Sequence, residues 1–83
     1  MYNIVYSNRA KKDSKKVEIA GLKEKVVGLL KIVKTSPFLN PPPYEKLQGY
    51  NNRYSRRINQ QHRLVYAIVE NEIIILQMWS HYE

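Results

Sequence analysis

Between Tyr54 and Trp79 three runs rich in β-branched and aromatic residues, 54–59, 63–69 and 73–79, are separated only by Gln60-Gln61-His62 and Glu70-Asn71-Glu72. Parallel strands need a crossover of a dozen or more residues, so gaps this short leave only hairpins. The segment is predicted to be a three-strand antiparallel meander. Its apolar face needs a cover. Upstream, Ile19, Leu22, Val26, Leu29, Leu30 and Val33 recur at three- and four-residue steps with lysines opposite, the stripe of an amphipathic helix. Gly21 marks a bend between this helix and an earlier one, capped by Ser7 or Asn8, in which only Ala10 and Val17 offer anything to a core. Residues 2–6 read as a short strand. The order strand, helix, helix, strand, strand, strand predicts an α+β layer. A four-stranded sheet carries helices on one face and leaves the other free for ligand.

Pro37 ends the second helix, because proline disfavours helical geometry in the residue before it. Residues 38–44, with Pro41-Pro42-Pro43, are predicted to form an extended, stiff connector with no backbone donor at three positions, a rigid arm that positions Glu45. Residues 49–53 are turn-rich. One register condition follows from the loop at Glu70–Glu72. If it is three residues long, Arg63 falls opposite Trp79 and His81 shares its face; with a two-residue loop the parity flips. A three-residue loop or a bulge is therefore required to bring Arg63 and His81 together.

With 83 residues the chain is expected to be one domain, 1–83, burying about 60–65% of its unfolded surface. It has no cysteine, which fits a reducing cytoplasm and excludes disulfides and thiolate metal sites. No apolar run approaches the ~20 residues of a membrane span, and the first residues are too short for a signal peptide. A soluble, cytoplasmic protein with no membrane partner is expected. Residues 1–36 hold nine Lys/Arg against three Asp/Glu, whereas residues 37–83 hold five against four. Residue by residue the lysines suit a solvated helix face, but a net charge of +7 on so small a domain favours an anionic partner.

Arginines 56, 57 and 63, two histidines and Glu45 make a set of groups able to cut RNA without metal. Cleavage by the RNA's own 2′-hydroxyl needs a base for the 2′ proton, cations for the charge gathering on phosphorus, and an acid for the departing 5′ oxygen. Glu45 is the candidate base and His81 the candidate acid, since imidazolium can give up a proton near neutrality. Arg63 is the candidate phosphate clamp. Arg56 and Arg57 face opposite ways in a strand, so one can assist while the other binds backbone or a partner. Trp79 and Tyr82, flanking His81, either hold the tail down or stack on a base. His62 reads as a hairpin residue. No metal-ligand set, glycine-rich phosphate loop or nucleotide fingerprint is present, so no cofactor is expected.

Tyr54-Ser55-Arg56-Arg57-Ile58-Asn59, Gln61-His62-Arg63-Leu64-Val65-Tyr66 and the ending His81-Tyr82 resemble the Txe/YoeB toxins of bacterial type II toxin–antitoxin modules. Ser36-Pro37-Phe38 and Pro43-Tyr44-Glu45-Lys46-Leu47 lie where that family keeps its Pro-Phe and Glu-x-Leu segments. The resemblance implies a RelE-like fold and a ribosome-dependent ribonuclease that cuts mRNA in the A site. It implies Glu45 as base, His81 as acid, Arg63 as phosphate-stabilising arginine and Tyr82 as a nucleotide-holding tyrosine. Arg56 or Arg57 would be an auxiliary phosphate contact. Gln48 departs from the lysine common in relatives, leaving Lys46 as the nearby substitute, and Glu83 is a second departure. The implied partner is a YefM-like antitoxin with an acidic C-terminal segment, and DNA is contacted only through the antitoxin complex. Two alternatives remain: a ParE-like gyrase inhibitor, which needs no Glu/Arg/His set, and a non-catalytic basic module binding RNA or an acidic protein.

Overall fold

The computed structural model describes residues 1–79. The ending that carries His81 and Tyr82 lies outside the described residues. Strand β1 (Asn3–Tyr6) leads into helix α1 (Asn8–Ile19), and α2 (Lys23–Thr35) follows after a tight turn. Ser7 caps α1: its Oγ accepts from the Ala10 amide at 3.0 Å, satisfying a first-turn donor that has no partner within the helix. At the other end Gly21 adopts φ 74°, the Leu22 amide donates to the Val17 carbonyl, and the Gly21 amide donates to that of Glu18. This paired closure is the Schellman motif, and the left-handed position it needs is open to glycine without a Cβ clash.

The turn breaks the apolar stripe in two. Val26, Leu29 and Val33 are buried and Leu22 and Leu30 pack against them, but Ile19 is 88% exposed. Ile19 belongs to the last turn of α1 and falls outside the face it was expected to extend. Ala10 and Val17 are the apolar residues that α1 buries, as expected. The sequence reading missed Asp13, which is only 4% exposed on the same face. Its Oδ2 accepts from the Met78 amide at 3.0 Å and lies 3.9 Å from Arg9 Nε.

The sheet has five strands rather than four, in the order β1-β5-β4-β3-β2. The addition is β2 (Tyr44–Lys46), antiparallel to β3 (Arg53–Arg57). Three residues following prolines offer no alternation to read. Strands β4 (Arg63–Val69) and β5 (Glu72–Gln77) complete the meander, and β1 joins β5 in parallel. Leu64, Tyr66, Ile73 and Ile75 put their side chains into the core with Val17, Val26, Leu29 and Val33, so the helices cover that face. Among the described residues no helix is long and apolar enough to cross a membrane.

The β4–β5 register resolves the parity condition. The turn is Glu70-Asn71, two residues, and from Val69↔Glu72 to Tyr66↔Ile75 the pairing has the unfavourable parity. A bulge then intervenes: Val65 pairs with Gln77, leaving Leu76 as the extra residue. Its carbonyl accepts from Ser7 Oγ at 2.9 Å, and two residues on the Met78 amide is held by Asp13. Helix α1 therefore clamps the bulge that returns the exit of β5 to the parity required.

Candidate active site

Strand alternation sorts the sheet's other face. Glu45 pairs with Ser55, Ser55 with Val65, and Val65 with Gln77, so these four form one row across β2, β3, β4 and β5. Arg57 and Arg63 pair in the neighbouring row of that face. Arg63 Nη1 donates to Ser55 Oγ at 3.1 Å, and its Nη2 lies 3.7 Å from Glu45 Oε1. The two terminal nitrogens of the guanidinium thus each meet a different partner. Only 17% of the Arg63 side chain is exposed, against 68% for Glu45. The cation is thus held in place while the carboxylate remains open to a ligand.

Pro43, Tyr44, Glu45, Ser55, Arg57 and Arg63 line a pocket of about 240 Å³. Arg57 is exposed on the pocket face, and among the described residues its guanidinium has no ion-pair or hydrogen-bond partner. One fixed cation, one exposed cation and one accessible carboxylate therefore line one pocket. Oriented donors of this kind stabilise developing negative charge, because they need not reorganise during reaction. Ser55 was not singled out as a site residue. A serine between two strand residues signals nothing until the register sets it between Glu45 and Val65.

Arg56 is corrected as a phosphate contact and is instead the arginine of the pair that binds backbone, the other role expected: it faces the helix side, is 1% exposed, and donates to the carbonyls of Pro37 (3.0 Å), Leu39 (2.9 Å) and Pro42 (2.6 Å). Its Nε also donates to Tyr66 Oη at 3.2 Å. The residues from Pro37 to Pro42 therefore fold around a guanidinium and do not run straight, as the expected extended connector would. Burial pushes the Tyr66 phenol above its usual value, while the hydrogen bond and charge of Arg56 pull it the other way. Lys46 is corrected too: it pairs with Tyr54 and points away from the face that carries Glu45. Trp79 is half-buried and stacks on His62, ring centroids 3.8 Å apart at 17°, and it is absent from the pocket lining. His62 sits at the β3–β4 turn as expected, its amide held by Asn59 Oδ1 at 2.8 Å.

Of the expected catalytic set, Glu45 and Arg63 are brought together; His81 lies outside the described residues, as does Tyr82. The model of the YoeB-like toxins of bacterial type II toxin–antitoxin systems matches residues 6–82 of the chain. The chain belongs to this family. A curated relative, toxin YoeB of Synechocystis sp., is 39% identical over 59 residues, which cover 66% of this chain and 65% of that protein's length. The YoeB dimer of Staphylococcus aureus superposes with a TM-score of 0.82 at 34% identity, covering 98% of both chains. The YoeB–YefM complex of the same organism gives 0.81 at 34% identity, covering 99% of both. The RelE/YoeB-like fold expected from the sequence is therefore the fold found, with one more strand.

Proposed function

We propose that this toxin is a ribosome-dependent endoribonuclease that cuts mRNA in the A site by attack of the RNA's own 2′-hydroxyl. The observation that carries the reading is the contact of Arg63 with both Glu45 and Ser55 inside one pocket. Glu45 takes the 2′ proton, and the freed oxygen attacks the adjacent phosphorus. Arg63, with Arg57 beside it, stabilises the extra charge on the phosphoryl oxygens. The bond from phosphorus to the 5′ oxygen breaks, and His81 supplies the proton that this oxygen needs to leave. The products are a 2′,3′-cyclic phosphate and a 5′-hydroxyl, so atoms and charge balance without a further reactant. The candidate base is the exposed member of its pair, as a group that must reach a substrate proton has to be.

The partner we assign is a YefM-like antitoxin, by analogy with the complex formed by the S. aureus relative. Its acidic segment would complement a chain of net charge +7. DNA is reached only through that complex, and the site of action is the cytoplasm. Inducible expression of wild type, Arg63→Ala and His81→Gln, followed by primer extension on a cellular mRNA, tests the reading. Wild type should arrest growth and leave breaks inside codons, and both variants should lose the breaks while remaining folded by circular dichroism. Undiminished cleavage in Arg63→Ala would overturn it. A gyrase inhibitor or a passive basic module would instead leave the mRNA intact with wild type.

A further inference from the structure

Among the described residues no carboxylate pairs with Arg56, although it is the largest fully buried side chain. Its charge is met by the three arm carbonyls and by the face of the Tyr44 ring, 5.2 Å from the guanidinium carbon. Residues 41–43 are prolines and bring no N–H, so the arm offers acceptors with few competing donors. Core packing alone does not ask for this arrangement. A buried ion pair can often be replaced as a whole by apolar residues with no loss of stability, but the partners of Arg56 are backbone carbonyls of the arm, which no substitution removes. What the guanidinium adds is a planar fork of five donors that can fix several points of a chain at once.

Those points lie immediately before the candidate base. Tyr44 pairs with Arg56 and faces the same side, so alternation sends Glu45 to the pocket face. Strand β2 is three residues long and is bonded on one side only, a strand too short to hold its own position. We infer that Arg56 is a positioning residue: by binding the carbonyls of Pro37, Leu39 and Pro42 it fixes where β2 begins, and so holds the Glu45 carboxylate beside Arg63. The Tyr66 hydroxyl, donating to the Pro37 carbonyl at 2.9 Å, braces the same end of the arm. This rests on the nuclease reading above and adds a residue on the opposite face of the sheet to its machinery.

The test compares wild type, Arg56→Met, Arg56→Lys, Glu45→Gln and the double variants in single-turnover cleavage of mRNA on programmed ribosomes. Ribosome affinity is measured alongside. A misplacement of the order of 1 Å can cost about a hundredfold in rate, so Arg56→Met should lose about ten- to a hundredfold in the cleavage rate constant. Its ribosome affinity should stay within about twofold, because Arg56 touches no solvent. In the Glu45→Gln background the same change should cost less than about threefold, the non-additivity expected of residues acting through one group. Arg56→Lys, which keeps the charge and can reach one carbonyl, should fall between. It carries the comparison if the methionine variant does not fold. Faster amide exchange at Leu47, whose N–H donates to the Arg53 carbonyl, should accompany the loss. Undiminished cleavage in both Arg56 variants, or an equal loss with and without Glu45, overturns the inference and leaves the nuclease reading standing. Absence of cleavage by wild type, or full activity in Glu45→Gln, overturns both.

Discussion

Replacing Asp13 should destabilise the protein far more than its place in a charged helix suggests. The carboxylate is 4% exposed and is the acceptor for a buried backbone donor, the Met78 amide, at 3.0 Å. Asp13→Ala leaves that N–H without a partner, and hydrogen bonds to charged groups are worth about 1.5–3 kcal/mol. Alanine's better helix propensity returns about 0.5–0.7 kcal/mol. The net loss is then about 0.8–2.5 kcal/mol, which in a domain of this size lowers Tm by about 3–20 °C. The ion pair with Arg9 contributes little: it is 3.9 Å long and the arginine side chain is 56% exposed, so Arg9→Ala should cost no more than about 0.5 kcal/mol. Asp13→Asn keeps an acceptor but buries a new amide group, and it should fall between the two. Thermal unfolding followed by circular dichroism, with hydrogen exchange at Met78, reads all three. If Arg9→Ala matched Asp13→Ala, the hydrogen bond would not be the source of the effect. If the Met78 amide stayed protected in Asp13→Ala, the clamp on the exit of β5 would be refuted.

Glu70 holds φ 55°, a left-handed conformation that costs a non-glycine residue about 1–2 kcal/mol, so Glu70→Gly should raise Tm by a few degrees even after glycine's entropy is counted. A lower Tm would show that the Glu70 side chain contributes more than its backbone strain costs. The Tyr66 phenol, raised above 10.0 in the folded chain, releases its proton first from the unfolded chain. Its contribution to stability is therefore intact below pH 10.0 and declines as pH rises through the folded-state value. The phenolate absorbance difference between wild type and Tyr66→Phe should titrate above pH 10.0, and a midpoint at or below that pH contradicts the assignment. Ribosome binding should weaken steeply between low and physiological salt, because the exposed lysines displace counterions from RNA; a flat response points to a different surface.

The meander and the α2 stripe were legible because period and gap length are local properties of the chain. What failed was what depends on partners distant in sequence. Strand β2 exists only because β3 lies beside it. Ile19 matched the stripe by spacing but is cut off from it by a closure at Gly21 whose geometry spacing does not encode. Arg56 and Arg57 are indistinguishable as residue types; the register of β3 alone buries one and opens the other. Asp13 looked like one more charge in a charged helix until Met78 was seen to donate to it. The candidate site shows the same division. Glu45 and Arg63 could be named from their chemistry, but their closeness depends on Ser55 lying between them and on the arm folded around Arg56. The parity condition can be met by loop length or by a bulge, and the chain meets it by the bulge at Leu76.

The most direct measurement uses an mRNA with a single 2′-deoxynucleotide immediately 5′ of the scissile phosphate, placed in the A site of a programmed ribosome and compared with its all-ribose twin. Wild-type protein should cut the ribose message, leaving a 2′,3′-cyclic phosphate, and should leave the deoxy message whole. Cleavage of the deoxy message, or a 3′-hydroxyl end on the product, would mean that Glu45 and Arg63 do not act on a 2′-oxygen attack at all.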